Sequence, residues 1–187
     1  MGFKKLIVFT VILLFGLLPG VSQEPVFVRG DKIVHISIGM GSALYTGMNY
    51  KTSVPPLSIF PEYGIADELI GHGAVGVGPF VGYAAYKWDL VDFGWKYSNV
   101  ILGGRGNFHY PLINDLDTYT GVMMGYNLTT VREFGSVLPG YEAEAAAKGF
   151  VWSWFVGARY EVMGNLSLTA ELGYGISYLS VGMAWEL

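Results

Sequence analysis

The feature that most constrains the fold is a two-residue period whose two faces differ in chemical character. Between residues 165 and 174, leucine, alanine and tyrosine alternate with asparagine, serine, threonine, glutamate and glycine. Residues 179–187 repeat the pattern, with large apolar side chains alternating with serine, glycine, alanine and glutamate. Strict alternation predicts β-strands, because successive side chains of a strand point to opposite faces. A bulky apolar face opposite a small or charged face is typical of a barrel whose exterior contacts lipid.

Composition agrees with an apolar exterior and argues against several classes of protein. The 187 residues are 52% hydrophobic and 14% charged, with a mean hydropathy of +0.41, which is too apolar for an ordinary soluble or disordered chain. The absence of cysteine excludes a disulfide framework, a zinc ribbon and a thiol nucleophile. A net charge of -4, with no basic run after the first few residues, argues against nucleic acid as a partner.

The first 22 residues are predicted to be a cleavable signal peptide. Lys4 and Lys5 precede an almost unbroken apolar run, Leu6–Leu18, which Pro19 ends before a stretch of small residues. The run is shorter than the roughly 20 residues that a helix needs to span a bilayer, so an uncleaved anchor is the weaker alternative. We therefore expect an exported chain whose mature domain covers residues 23–187.

Eight segments carry the alternation, and they predict an all-β, eight-stranded antiparallel transmembrane β-barrel. Closure is required because every backbone N–H and C=O in hydrocarbon must be paired within the sheet. We expect bulges or strand ends at Pro61 and Pro79, since proline cannot donate to a ladder. The predicted strands are Lys32–Tyr45, Leu57–Gly64, Ala74–Trp88, Gly94–Tyr110, Asp117–Val131, Phe150–Val162, Asn165–Tyr174 and Tyr178–Leu187.

Polar connections between these segments are the candidate interaction surfaces. The segments Thr46–Pro56, Asp89–Phe93 and Arg132–Gly149 each join an odd strand to the next even strand, so they are expected on the outer side of the membrane. On the opposite side, Asp115 and Asp117 are expected in a turn over residues 111–117, where aspartate is favoured.

The same period places most strand charges on the inner face. An arginine at mid-bilayer on the lipid face would cost roughly 2–4 kcal/mol, which favours the inward orientation. We expect arginine–carboxylate pairs to plug a lumen that is only wide enough for its own side chains, with a gated polar pathway as the alternative. The predicted lumen charge network is Glu62, Arg105, Arg159, Glu171 and Glu186, with His35 and Asn107 as further polar lumen residues.

Aromatic residues cluster near the segment ends, where amphipathic rings at the two lipid–water interfaces form girdles. Stacking platforms for sugars or nucleic acid are the alternative interpretation of such a cluster. The predicted girdle residues are Trp88, Trp95, Tyr110, Trp152, Trp154, Tyr160 and Trp185.

Chemical motifs give little support for catalysis. The segment Gly71–Gly76 has the spacing GxGxxG, but it leads into a predicted strand and therefore offers no helix N-terminus to a phosphate. His35, His72 and His109 lack local metal-ligand spacing, and no GxSxG motif is present. We therefore expect no enzymatic activity, no cofactor and no metal.

Five blocks of sequence carry a resemblance to a known group of proteins: Gly82–Tyr86, Arg105–Tyr110, Asp117–Tyr126, Phe155–Tyr160 and Ala170–Gly182. They resemble the small outer membrane protein beta-barrel domain families of Gram-negative bacteria, a porin-like group similar in architecture to the OmpX and OmpA barrels. The resemblance covers nearly all of the mature chain and implies an outer-membrane location, an eight-stranded fold and little chemistry. The last strand also looks like the signal read by the barrel-assembly machinery, although Leu187 stands where an aromatic residue is usual.

The predicted function is a structural or surface-interaction role in the outer membrane, exerted through the three polar connections. Expected partners are outer-membrane lipids, the barrel-assembly machinery acting on the C-terminal strand, and an unidentified molecule that binds the loops. Three alternatives remain open at this point. They are a narrow channel for ions or small solutes, a lipid-modifying outer-membrane enzyme, and a soluble lipocalin-like binder of apolar ligands.

Overall fold

Eight antiparallel strands close on themselves in the computed structural model, which describes residues 26–46, 49–90, 93–113, 116–135 and 148–187. The predicted signal peptide, residues 1–22, lies outside the described residues. The first and last strands pair through Ile36 and Met183, so the prediction of an all-β, eight-stranded closed barrel is confirmed. The strands are β1 Lys32–Met40, β2 Tyr50–Leu69, β3 Gly73–Leu90, β4 Phe93–Ile113, β5 Leu116–Phe134, β6 Gly149–Met163, β7 Leu166–Tyr174 and β8 Leu179–Glu186.

The outward face of the barrel is apolar and exposed, whereas the inward face carries the buried charged and polar side chains together with a cluster of buried apolar ones. On β7, Leu168 and Leu172 are 52% and 60% exposed, whereas Thr169 between them is 7% exposed. On β8, Val181 and Met183 point outward in the same way. A water-soluble barrel would bury these apolar side chains in its interior, so their orientation here is the opposite of that in a soluble barrel. In the described part of the chain, no helix is long and apolar enough to cross a membrane.

Four strands are much longer than the others, and they protrude at one end of the barrel. Strands β2 to β5 contain 18–21 residues, against 8–15 in the remaining four. An outward apolar row runs across them through the paired residues Leu57, Tyr83, Val100 and Leu128. Beyond this row lies the protruding sheet, formed by residues 50–56, 84–90, 93–99 and 129–134. We call this the protruding end and the opposite end, where β1 begins and β8 ends, the terminal end.

Where the chain enters the protruding sheet, the predicted start of β2 was wrong by seven residues, whereas the predicted ends of β3, β4 and β5 differ by one to three residues. Strand β2 begins at Tyr50 within the predicted loop, β3 and β4 extend to Leu90 and from Phe93, and β5 continues to Phe134. Conversely, β1 ends at Met40 rather than Tyr45. The hydrogen-bonded ladder continues past the apolar row because backbone pairing does not require apolar side chains. Residues 50–56 of β2 lack the alternation by which the other strands were predicted.

Pro61 and Pro79 lie inside regular strands, so the expected bulges and strand ends at these residues are absent. The β2–β3 pairing keeps one register from Ile59–Val81 to Tyr63–Val77, which places the two prolines opposite each other. The missing N–H donors of both strands therefore fall at one point of the ladder. Because both missing donors fall between β2 and β3, the pairing of β2 with β1 and that of β3 with β4 remain continuous.

Candidate functional site

Glu62 is the centre of a polar network inside the lumen, near the terminal end. It is 2% exposed, and its carboxylate oxygens contact His35 Nε2 at 2.9 Å, His109 Nε2 at 2.9 Å and Asn107 Nδ2 at 2.8 Å. His109 and Asn107 belong to β4, so Glu62 reaches them across the intervening strand β3. It can do so because Gly76 of β3 has no side chain, and a Cβ there would overlap the Glu62 carboxylate.

His109 links Glu62 to a second buried carboxylate on β5. Its Nδ1 lies 2.8 Å from Asp117 Oδ2, and the same oxygen accepts from Arg159 Nη2 at 3.0 Å. Both ring nitrogens of His109 therefore face carboxylate oxygens, and an imidazolium, with a proton on each nitrogen, satisfies both contacts without a proton on either carboxyl group.

A third carboxylate, that of the half-buried Glu171, pairs with the other lumen arginine. Arg105 donates from Nη1 and Nη2 to the two oxygens of Glu171 at 3.3 and 2.5 Å, and from Nε to Asn107 at 3.2 Å. Its guanidinium carbon lies 4.8 and 3.9 Å from the ring centroids of Phe60 and Phe155. Bidentate pairing and the two cation–π contacts hold the guanidinium in place.

A segment ahead of β1 closes the terminal end of the lumen over this network. The Phe27 ring is 2% exposed and stacks on His109 at 4.1 Å, and Arg159 Nη2 donates to the Val26 carbonyl at 3.4 Å. Backbone hydrogen bonds join Gly30 N to Gly64 O at 2.9 Å and Gly64 N to Asp31 O at 3.0 Å. We call residues 26–31 the N-terminal plug.

Six of the seven predicted lumen residues lie inside the barrel in one connected region: His35, Glu62, Arg105, Asn107, Arg159 and Glu171. Glu186 does not join them, so that prediction was wrong. It is exposed at the end of β8, outside the connected network, and it forms no ion pair with any described residue. Asp117 instead pairs with Arg159; it was predicted both to end the turn and to begin the fifth strand, and it lies in β5. Asp115 lies outside the described residues.

The predicted girdle divides into two groups. Tyr110, Trp152, Trp154, Tyr160 and Trp185 point outward and are exposed, which is the orientation that a girdle requires. Trp88 and Trp95 instead point inward on the protruding sheet, where their rings contact each other at 5.0 Å. Their assignment to the girdle was wrong, because the protruding sheet lies beyond the outward apolar row and packs its rings on the inner face.

An aromatic cluster fills the inner face of the protruding sheet. Tyr45 from the β1–β2 link packs between Tyr86 and Tyr97, with centroid distances of 4.7 and 5.0 Å. Burial, with the neighbouring Tyr50, raises the pKa of Tyr97 to about 12. Below the rings, Asn99 Oδ1 accepts from the Tyr45 hydroxyl at 3.1 Å and from two side chains of β5. The cluster therefore caps the lumen from the protruding end.

Sequence reasoning missed three contributors to the site: His109, Asp117 and Phe27. Two of them could have been found by extending the period, since His109 is two residues after Asn107 and Asp117 is two residues before Tyr119, both inward positions. Asp117 was not assigned to the lumen because the preference of aspartate for turns was given more weight than its position in the alternation. No signal in the sequence distinguishes Phe27, because a segment outside a strand has no period to follow.

Little free space remains in the lumen that the described residues enclose. A cavity of about 50 Å³ lies beside Arg105 and Glu171, with room for a few water molecules. Among the described residues, no group of three histidine, cysteine, aspartate or glutamate side chains is arranged to hold a metal ion. The chemistry that the site offers is charge pairing and hydrogen bonding.

No protein-family model and no curated protein matches this chain. Solved structures do match this chain, and the three described here are of transmembrane barrels. A de novo designed transmembrane β-barrel is 17% identical, with 86% of this chain and 98% of that chain covered and a TM-score of 0.43. The outer membrane protein Ail of Yersinia pestis in a phospholipid nanodisc is 13% identical, with 85% and 100% covered and a TM-score of 0.45.

The crystal structure of Ail, the attachment invasion locus protein of Yersinia pestis, is 10% identical over 85% of this chain and 96% of that chain, with a TM-score of 0.39. The chain is thus an eight-stranded antiparallel closed barrel that is similar to an outer-membrane barrel and to a designed transmembrane barrel. Function is argued below from the side chains of this chain alone.

Proposed function

We propose that this chain is an integral outer-membrane β-barrel with a closed lumen and a non-enzymatic role in surface interaction. The observation that carries the proposal is the orientation of the side chains. Leu168 and Val181 face outward while Arg159 and Glu171 face the lumen, so the exterior matches hydrocarbon and the charges are enclosed. Closure of the sheet between β1 and β8 leaves the barrel wall without an unpaired edge in the bilayer.

Three stacked layers support a closed lumen. The aromatic cluster covers the protruding end, and a layer of buried apolar side chains lies beneath it, including Phe80, Ile101 and Met123. The charge network and the N-terminal plug then fill the terminal end. An eight-stranded barrel has an interior just wide enough to be filled by its own side chains, so layers of this kind leave no continuous water path.

The protruding sheet supports the interaction role. Longer connections and extensions face the outside in barrels of this kind, which would carry this sheet into the medium beyond the outer leaflet. Its outer strands, residues 50–56 of β2 and 129–134 of β5, extend past the strands that flank them in the barrel wall. The barrel-assembly machinery as a partner of β8, and a molecule that binds the loops, remain predictions.

Reconstitution of the full chain into lipid vesicles tests the proposal. The folded protein should migrate on a denaturing gel faster when unheated than when boiled, and it should show no discrete conductance steps across a planar bilayer. Cell fractionation should place it with the outer membrane. Recovery of a folded monomer from the soluble periplasmic fraction would contradict the membrane assignment, and stepwise conductance would replace the closed lumen with a channel.

A further inference from the structure

Four basic residues form one register row across the outer face of the protruding sheet. Lys51 of β2 pairs with Lys87 of β3, Lys87 pairs with Lys96 of β4, and Lys96 pairs with Arg132 of β5. Directly opposed residues on adjacent strands have Cβ atoms about 4.5–5.5 Å apart and point to the same face. We call these four residues the basic row.

The basic row is unfavourable for the sheet by itself, because like charges directly opposite each other destabilise strand pairing. Asp89 offsets part of the repulsion, since it lies 3.1 Å from the Nζ atoms of both Lys51 and Lys87. The Lys87 and Lys51 hydrogen bonds hold the pKa of Asp89 below its usual value. At the other end, Lys96 and Arg132 form no ion pair with a described residue, so the row offers positive charge to an external anion.

The position of the basic row along the strands points to the source of that anion. On β3, β4 and β5 the row lies four residues beyond the outward apolar row of Tyr83, Val100 and Leu128. At about 3.3 Å per residue this is about 13 Å along a strand, and the tilt of barrel strands reduces the height to about 10 Å. Lysine and arginine side chains can also extend back toward the apolar belt. The row is therefore level with the lipid headgroups if the apolar row marks the edge of the hydrocarbon.

Positive charge is concentrated in the basic row, as the positions of the other basic residues show. Arg105 and Arg159 are enclosed in the lumen, and Arg29 and Lys32 lie at the terminal end. Lys148 is the one other described basic residue, immediately before β6. Four of the five described basic residues toward the protruding end thus belong to one row on one side of the barrel.

We propose that the basic row binds the phosphate groups of anionic lipids in the surrounding outer leaflet. Lipid phosphates at this height would offset the repulsion within the row, and they would hold one side of the barrel against anionic lipid. The inference rests on the proposed membrane function, because it requires the apolar row to lie at the edge of the hydrocarbon. It goes beyond that function in naming the side of the barrel and the lipid chemistry.

Lipid selectivity measured with spin-labelled lipids tests this inference directly. The full chain is reconstituted in phosphatidylcholine vesicles, and electron paramagnetic resonance gives the association constants of labelled phosphatidic acid and labelled phosphatidylcholine for the barrel surface. We expect a several-fold preference for phosphatidic acid. A variant with Lys87→Gln, Lys96→Gln and Arg132→Gln should lose most of that preference, while Lys51 remains to pair with Asp89.

A matched control removes the same charge elsewhere, through Arg29→Gln, Lys32→Gln and Lys148→Gln, and should keep the preference. If the row variant does not fold, 1 M salt on the unaltered protein takes its place and should abolish the preference by screening.

Inorganic phosphate at constant ionic strength should not displace the labelled lipid, and displacement would assign the row to free phosphate instead. An equal reduction in both triple variants, or a preference unchanged in the row variant or at 1 M salt, would overturn the inference. Absence of any motionally restricted lipid would instead contradict the membrane function itself.

Discussion

Single side chains in the lumen balance one another in charge, and only Arg159 Nη1 among the nitrogen and oxygen atoms of the charged groups is buried without a hydrogen-bond partner in the described residues. The carboxylates of Glu62, Asp117 and Glu171 are enclosed with the guanidinium groups of Arg105 and Arg159. One further positive charge makes the network neutral, and the doubly hydrogen-bonded ring of His109 supplies it. Imidazole is a stronger base than a carboxylate, which is why the proton is assigned to His109. Buried charge is tolerated here because every member of the network has a partner.

Removing the central carboxylate should destabilise the barrel strongly. In Glu62→Gln the positive charge on His109 loses one of its two anionic partners, and breaking a buried ion pair in this way costs about 3 kcal/mol. Urea unfolding in lipid vesicles, followed by gel mobility, measures the free energy of unfolding. Glu186→Gln is the control and should change stability by less than about 0.5 kcal/mol, since Glu186 is exposed and outside the network. Equal effects of the two substitutions would contradict this account.

The protonation state of His109 can be observed without a substitution. Nitrogen NMR of the folded protein at neutral pH should show both ring nitrogens of His109 protonated, because each faces a carboxylate oxygen. His35 contacts a carboxylate through Nε2 alone, so a neutral ring is sufficient there and serves as the internal reference. An unprotonated nitrogen in His109 would show that the proton belongs to a carboxyl group instead.

Among the structural elements, β2 connects the N-terminal plug to the barrel. Gly64 lies against the plug, and a Cβ at this position would overlap the Val28 carbonyl. The two backbone hydrogen bonds between Gly64 and the plug depend on that close approach. The position of Phe27 over His109 therefore depends on Gly64 of β2 having no side chain.

Gly64→Ala should release the plug. The overlap would cost roughly 1–3 kcal/mol, in the range for overpacking a tight site. Trypsin cleavage after Arg29 should then become about tenfold faster, because proteolysis follows the population of the open segment. Gly104→Ala is the matched control, since a Cβ there meets nothing within 4 Å. An unchanged cleavage rate in Gly64→Ala would mean that the plug is not held by this contact.

The elements also explain which predictions from sequence failed. The period assigned strands and the charged lumen residues well in the part of the barrel that we propose to lie in the membrane, where strand charges face inward. In the protruding sheet this relation is inverted, because Lys87 and Lys96 face outward while Trp88 and Trp95 face inward. The proposed location of that sheet in water accounts for the inversion, and a sequence does not mark where the hydrocarbon would end.

At the scale of the whole molecule, the barrel is apolar around its wall and sealed by side chains through its interior. The alternating pattern predicted closure and strand number, since strands in hydrocarbon must pair all their backbone groups. The two caps of the lumen were not predictable in the same way. The N-terminal plug and the Tyr45 segment lie outside strands, so their inward packing depends on tertiary contacts with no local signature.

Spin-label accessibility at single introduced cysteines tests the orientation of the wall most directly, and the chain has no cysteine of its own. Labels in Leu168→Cys and Val181→Cys should be accessible to oxygen dissolved in the bilayer and protected from a water-soluble relaxation agent. A label in Thr169→Cys, the inward neighbour of Leu168, should be protected from both. Exposure of the 168 and 181 labels to the water-soluble agent, with exclusion of oxygen, would contradict a lipid-facing exterior.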